Sequence, residues 1–140
     1  MTSDATLTPV HAHPASVFRA MRGHEDGQPL VGNGGNMLGA RPVDIEANEN
    51  GDVKPRSGGM SVTPNDARLL PLHLRPERLG GKGRLPVFEL HVADVVDALV
   101  VRRDPRNVEK HAFIEPGALM QLVAYQAALA STRTSWRRLP

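Results

Sequence analysis

The chain has 140 residues, 40% hydrophobic and 23% charged, with a formal net charge of +2. Its length suits one core rather than two, its composition is that of a globular protein, and the absence of cysteine excludes disulfides, thiolate zinc sites and a cysteine nucleophile. Thirteen glycines and twelve prolines argue against an all-helical bundle.

No apolar run approaches the roughly 18 residues that a spanning helix needs, so no membrane span is expected. Met1 to Pro14 lacks a basic region followed by an apolar run, so no cleavable export signal is expected either. Fourteen of the seventeen basic residues are arginine, which a coding bias explains as readily as anion binding does. The small net charge does not predict a nucleic-acid binder.

Residues 1–15 lack periodicity and read as a loose N-terminal lead-in, with a single domain over 16–140. Ser16 to Arg22 predicts a strand with Val17, Arg19 and Met21 on one face and Phe18 and Ala20 on the other. Gly23 to Asn36 is a long loop rich in glycine and asparagine, followed by a short strand over Pro42–Ala47 and a turn at Asn50-Gly51-Asp52. Gly58-Gly59-Met60-Ser61-Val62 joins two glycines, which let backbones approach closely, to an extended stretch. Ala67 to Leu74 fits a strand or one helical turn, and Leu79 to Arg84 a loop. Leu85 to Val92 is the clearest strand, with Phe88, Leu90 and Val92 alternating against Val87, Glu89 and His91. Leu99–Arg103 and His111–Glu115 follow as strands, separated by a turn at Asp104–Asn107. Pro116 to about Ala130 predicts a helix whose apolar stripe is Ala118, Leu119, Leu122, Val123, Tyr125 and Leu129. The sum is an α+β pattern with one carboxy-terminal helix.

Several groups of residues have the chemistry for a site. The Gly32–Gly39 loop offers clustered N–H groups for an anion, but it has neither dinucleotide nor P-loop spacing and reads first as a plain loop. His11 and His13 alternate as strand neighbours would, and His24, His73, His91 and His111 are scattered, so no metal site is expected. Arg133, Arg137 and Arg138 with Trp136 fit either a base-stacking patch or, more commonly, a solvated tail with a packed indole. One of Arg102 and Arg103 is expected to pair with Asp94, Asp97 or Asp104. Glu109 and Glu115 flank the His111 strand, where a carboxylate would stabilise positive charge developing on a sugar.

Four segments in order, Val17-Phe18-Arg19-Ala20, Gly58 to Val62, Ala93 to Val101 and His111-Ala112-Phe113-Ile114-Glu115-Pro116, resemble a family of bacterial cytotoxins. These are type VI secretion effectors of the Tse-two type, with an ADP-ribosyltransferase-like fold. The family shows a Tyr/Phe-Arg-Ala strand, a Gly-Gly-Thr-Ser or Asn-Gly-x-Ser element, an acidic Asp-x-x-x-Asp/Pro-x-Leu-x-Val stretch, and a His-Tyr/Phe-x-Ile-x-Pro segment before a Met-bearing helix. Here Met120 supplies the methionine, and Met60 stands where the family has threonine.

The resemblance spans residues 16–138. It implies a split mixed β-sheet core with a C-terminal helix and an enzyme that uses NAD as cosubstrate, transferring ADP-ribose to an intracellular target. By the same resemblance Arg19 anchors the dinucleotide or its ribose, Ser61 holds the nicotinamide ribose or supports the catalytic group, Glu115 lies near the scissile bond and His111 orients the nucleotide or a neighbouring group, with Ser61, Glu115 and His111 as the catalytic set. It further implies a cognate immunity or antitoxin protein, and secretion without a signal peptide into the cytoplasm of a target cell. Two alternatives remain: a non-catalytic interaction module on the same fold, and an NAD-dependent RNA 2′-phosphotransferase.

Overall fold

The computed structural model describes residues 13–140, so most of the expected lead-in lies outside the described residues. Eight strands and one α-helix follow in chain order: β1 (Ser16–Ala20), β2 (Asp52–Val53), β3 (Met60–Pro64), β4 (Val87–His91), β5 (Leu99–Arg103), β6 (Ala112–Pro116), β7 (Met120–Gln121), α1 (Leu122–Ser131) and β8 (Arg137–Arg138). β1, β4, β5 and β6 fall where the sequence pattern places them, with β1 and the start of β4 buried on both faces.

Six strands form one sheet in the order β5-β6-β3-β1-β4-β8, while β2 and β7 form a separate two-stranded ladder. Every pairing between these strands is antiparallel, where the resemblance implied a mixed sheet. The α+β class and the C-terminal helix are as expected.

Pairing is uneven across the sheet. β1 and β4 share five residue pairs and β5 and β6 another five, but β1 and β3 meet only at Val17↔Pro64 and Phe18↔Thr63. Past that point β1 leaves its neighbour. The Met21 N–H donates to the Pro86 carbonyl and the Arg22 N–H to that of Asn36, at 3.0 and 2.8 Å. A gap therefore opens between the two halves of the sheet.

The inner face carries the main core. Val17, Met60, Val62, Phe88, Leu90, Val101 and Ile114 pack there against Tyr125 and Leu129 of α1, with Trp136 and the Leu38–Ile45 segment closing the sides. The outer face is covered over β1 and β4 only, where Phe18, Ala20 and Val87 lie under Ala67 and Leu70, flanked by Leu74, Leu79 and Leu85. That cover contains two 3-10 turns, Ala67–Leu69 and Glu77–Leu79, which resolves the expected strand or helical turn in favour of a turn.

Two local expectations are corrected. Pro42–Ala47 is not a strand: Ile45 makes a lone bridge to Gly58, because the Asp44 carboxylate caps the Arg41 N–H and guanidinium and holds a turn instead. The helix begins at Leu122, not Pro116. Pro116 closes β6 opposite Leu99, the Gly117 N–H donates to Ala98, and Met120 is held in β7 by pairing with Val53. The stripe shifts accordingly. Tyr125 and Leu129, one turn apart, are buried, whereas Leu119 and Val123 are 63% and 70% exposed.

Candidate functional site

The diglycine explains how β3 enters the sheet. Gly58 and Gly59 have φ of +108° and +148°, and a Cβ on Gly59 would stand 2.7 Å from the Ile114 carbonyl oxygen and 3.0 Å from the Tyr125 hydroxyl. Close approach at that point lets the buried Tyr125 hydroxyl donate to the Ile114 carbonyl and accept from the Met60 N–H at 3.0 Å. Burial pushes the Tyr125 phenol well above its ordinary range, so it stays neutral there. Met60 then points into the core, fully buried, and Ser61 faces outward opposite Phe113. The departure from the family's threonine thus lies in the core and removes no hydroxyl from the outer face.

On that outer face, cross-strand register sets up two adjacent rows. Arg102, Phe113 and Ser61 are aligned across β5, β6 and β3, and Thr63 of β3 lies one step on, beside His111. His111 sits just before β6, and its Nδ1 is 2.8 Å from a carboxylate oxygen of Asp104. Its ring meets Phe113 edge to face at 4.7 Å, and the Arg102 guanidinium lies 5.1 Å from the other ring's centre. Burial alone would raise the Asp104 carboxyl, but hydrogen bonds from the Arg106 N–H and His111 outweigh it and hold the group below the ordinary carboxylate range.

Arg19, Ser61 and His111 line one cleft of about 190 Å³, together with Asn36, Thr63 and Phe18. It lies at the opening between β1 and β3. A second hollow of about 340 Å³ shares Arg19, Asn36 and Ser61 with it and adds Arg41, Asp44 and His73. Among the described residues the Ser61 hydroxyl makes no hydrogen bond, so it is available to a ligand.

Arg19 is less available. Its Nη1 donates to the Ser61 carbonyl at 2.7 Å, and its Nη2 and Nε to the Met37 carbonyl at 2.9 and 3.3 Å. The Ser61 carbonyl is one that parting strands would leave unpaired, so the guanidinium replaces a missing ladder bond. Three of the five N–H donors are spent in this way, and two remain for the cleft. Burial lowers the guanidinium to about 10, opposed by nearby Asp44, and it stays charged at neutral pH.

Glu115 is elsewhere. Its carboxylate accepts from the Arg102 Nε at 2.8 Å and from the Arg56 N–H at 2.7 Å, and it lines a separate hollow of about 460 Å³ with Arg56, Arg102 and Val100. It is not among the residues lining the cleft that Arg19, Ser61 and His111 share. Arg102 therefore pairs with Glu115 and not with the three aspartates considered from sequence. Arg103 donates to the Val108 carbonyl at 2.7 Å.

The remaining candidates separate. Trp136 is buried with its N–H donating to the Thr132 hydroxyl, and Arg133 pairs with Asp26, which leaves no stacking patch. Of the proposed imidazole pair, His11 lies outside the described residues. Among the described residues no group of three His, Asp or Glu side chains is placed to hold a metal ion, and no helix is long and apolar enough to cross a membrane. The Gly32–Gly39 loop packs on itself, so that a Cβ on Gly39 would collide with the Gly32 carbonyl, and it contributes Asn36 and the Met37 carbonyl to the site. Asn36 and Thr63 line the cleft without having been singled out in the sequence, and Asp104 was considered there only as a partner for Arg102 or Arg103. Asn36 has φ of +60°, and its place in a Gly/Asn run was the one available signal.

Comparison with protein-family models, with curated proteins and with solved structures finds no match to this chain.

Proposed function

We propose that the protein is a cytotoxic effector that uses NAD as cosubstrate and transfers ADP-ribose to an intracellular target. The observation that carries this reading is the convergence of Arg19, Ser61 and His111, from three separate segments, on one cleft at the split of the sheet. The resemblance of these segments to the toxin family supplies the chemistry.

In that chemistry the bond between the nicotinamide nitrogen and ribose C1′ breaks, and nicotinamide leaves with the bonding electron pair. A lone pair on the target then forms the new bond to C1′, and the target's proton passes to a base. The Ser61 hydroxyl would hold the nicotinamide ribose. His111, fixed through Nδ1 by Asp104, presents its other nitrogen for hydrogen bonding or proton transfer. Arg19 offers two N–H donors and a positive charge to the dinucleotide or its ribose. Glu115 acts at a distance on this reading, holding Arg102 beside Phe113. A cognate immunity protein follows, since the producing cell also contains NAD.

A second reading, a binding module without turnover, is favoured by one observation: among the described residues no carboxylate lines the cleft to stabilise an oxocarbenium ion. Expression in a bacterial host separates the two. Growth arrest that Ser61→Ala and His111→Ala each relieve, with NAD consumption by the purified protein, supports transfer. Arrest undiminished in both variants overturns it in favour of binding, and NAD loss only when RNA is added would indicate the 2′-phosphotransferase.

A further inference from the structure

Beyond His111, on the side away from Arg19, the cleft adjoins a hollow of about 380 Å³ that shares Thr63, Leu70, Pro71 and His111 with it. Its polar lining is Arg68, Arg75, Lys110, His111, Asn107 and Thr63, and among the described residues no carboxylate lines it.

The donors there are largely uncommitted. Arg75 uses only its Nε, on the Leu70 carbonyl at 3.2 Å, and both Nη groups are without partners among the described residues. The Lys110 ammonium makes no hydrogen bond or ion pair among them. Arg68 is paired with Asp66 through Nε and Nη2, which leaves its Nη1. Asp66 and Asp104, the carboxylates that pair with lining residues, are engaged by Arg68 and by His111. A concave site with two guanidiniums, an ammonium and neutral donors, but no facing anion, has the chemistry of a phosphate site.

We propose that this hollow binds a phosphate group, and that a ligand seated there extends past His111 into the Ser61 cleft. The proposal concerns binding and does not depend on the transferase reading. Two sources share this chemistry: the pyrophosphate of a dinucleotide, and a separate phosphorylated acceptor lying beside it.

The test is titration of the whole chain with inorganic phosphate at low ionic strength, followed by amide chemical shifts. Saturable shifts at Thr63, Arg75, Asn107, Lys110 and His111 are expected. Arg75→Ala and Lys110→Ala should each weaken binding about tenfold, since a charge-assisted hydrogen bond is lost. Arg84→Ala is the control, because Arg84 lines a different arginine-rich hollow with Arg78 and Arg138. Lys110 is exposed and makes no contact on which folding rests, so its variant remains informative if Arg75→Ala fails to fold. Linear, unsaturable shifts, or an equal loss in Arg84→Ala, overturn the proposal. ADP-ribose, added second, distinguishes the sources: competition with phosphate assigns the hollow to the dinucleotide, and simultaneous binding assigns it to a phosphorylated acceptor. Phosphate binding with no ADP-ribose binding at all would keep this site and remove the transferase reading.

Discussion

The two halves of the sheet's outer face are made of the same alternating strands and end in opposite states. Over β1 and β4, residues 67–85 lay Ala67, Leu70 and Leu74 on Phe18, Ala20 and Val87, and the surface is core. Over β3, β6 and β5 that cover stops, and Ser61, His111 and Arg102 remain as walls of hollows. The difference teaches where polar chemistry can reside. A hydroxyl or imidazole without protein partners is costly under a closed cover and tolerable at an open one. Arg19 marks the border, since it is buried like the first half and lines the cleft of the second.

The contrast is tested most severely by truncating both sides. Leu70→Ala should lose about 2–5 kcal/mol of stability, because a nearly inaccessible side chain leaves a cavity under the cover. Phe113→Ala, on the open half, should lose about 1 kcal/mol, the scale of its edge contact with His111. Equal losses in urea unfolding would mean that both halves are core. At the border, Arg19→Met keeps the buried stem and strips the donors from the Ser61 and Met37 carbonyls. A loss of about 2–4 kcal/mol is expected from two orphaned acceptors. Arg19→Lys should recover only part of it, since one ammonium lacks the planar fork that spans both oxygens.

Much of this architecture was legible in the residues. The alternation in Val17 to Met21 and in Val87 to His91 gave those strands, and Val17 and Phe18 lie on the faces it assigned. Pro116 misled because proline suits a strand end as well as a helix start, and only pairing of Met120 with Val53 decides between them. The candidate site divided in a similar way. Arg19, Ser61 and His111 come together because register, which a spacing rule cannot supply, aligns β3 with β6 and parts β3 from β1. Glu115 was placed with them on the strength of its neighbours in sequence. It is two residues from Phe113 on the same face, yet the ion pair with Arg102 and the Arg56 N–H draw its carboxylate into another hollow. Asp104 was considered only as a partner for Arg102 or Arg103, because its actual partner, His111, is seven residues away across a turn that closes only in the fold.

Smaller effects sharpen the functional half of the comparison. Ser61→Ala removes a hydroxyl with no partner among the described residues, so stability should stay within about 0.5 kcal/mol, while on the proposed reading any growth arrest on expression is relieved. A large stability loss instead would make the serine structural. Asp104→Asn tests whether charge holds His111 in place. The folded protein keeps the Asp104 carboxyl below its ordinary value, so the unfolded chain takes up that proton first as pH falls. The ionised carboxylate therefore stabilises the fold above the unfolded pKa of about 3.9 and loses that contribution as pH drops through the lower folded value. Asn has no such dependence. The gap in urea midpoint between wild type and Asp104→Asn should accordingly be widest near pH 7 and narrow toward pH 3. A gap that stays constant would show that the carbonyl-type acceptor alone, retained by asparagine in altered geometry, sets the difference, and that the imidazole needs no anion behind it to face the cleft.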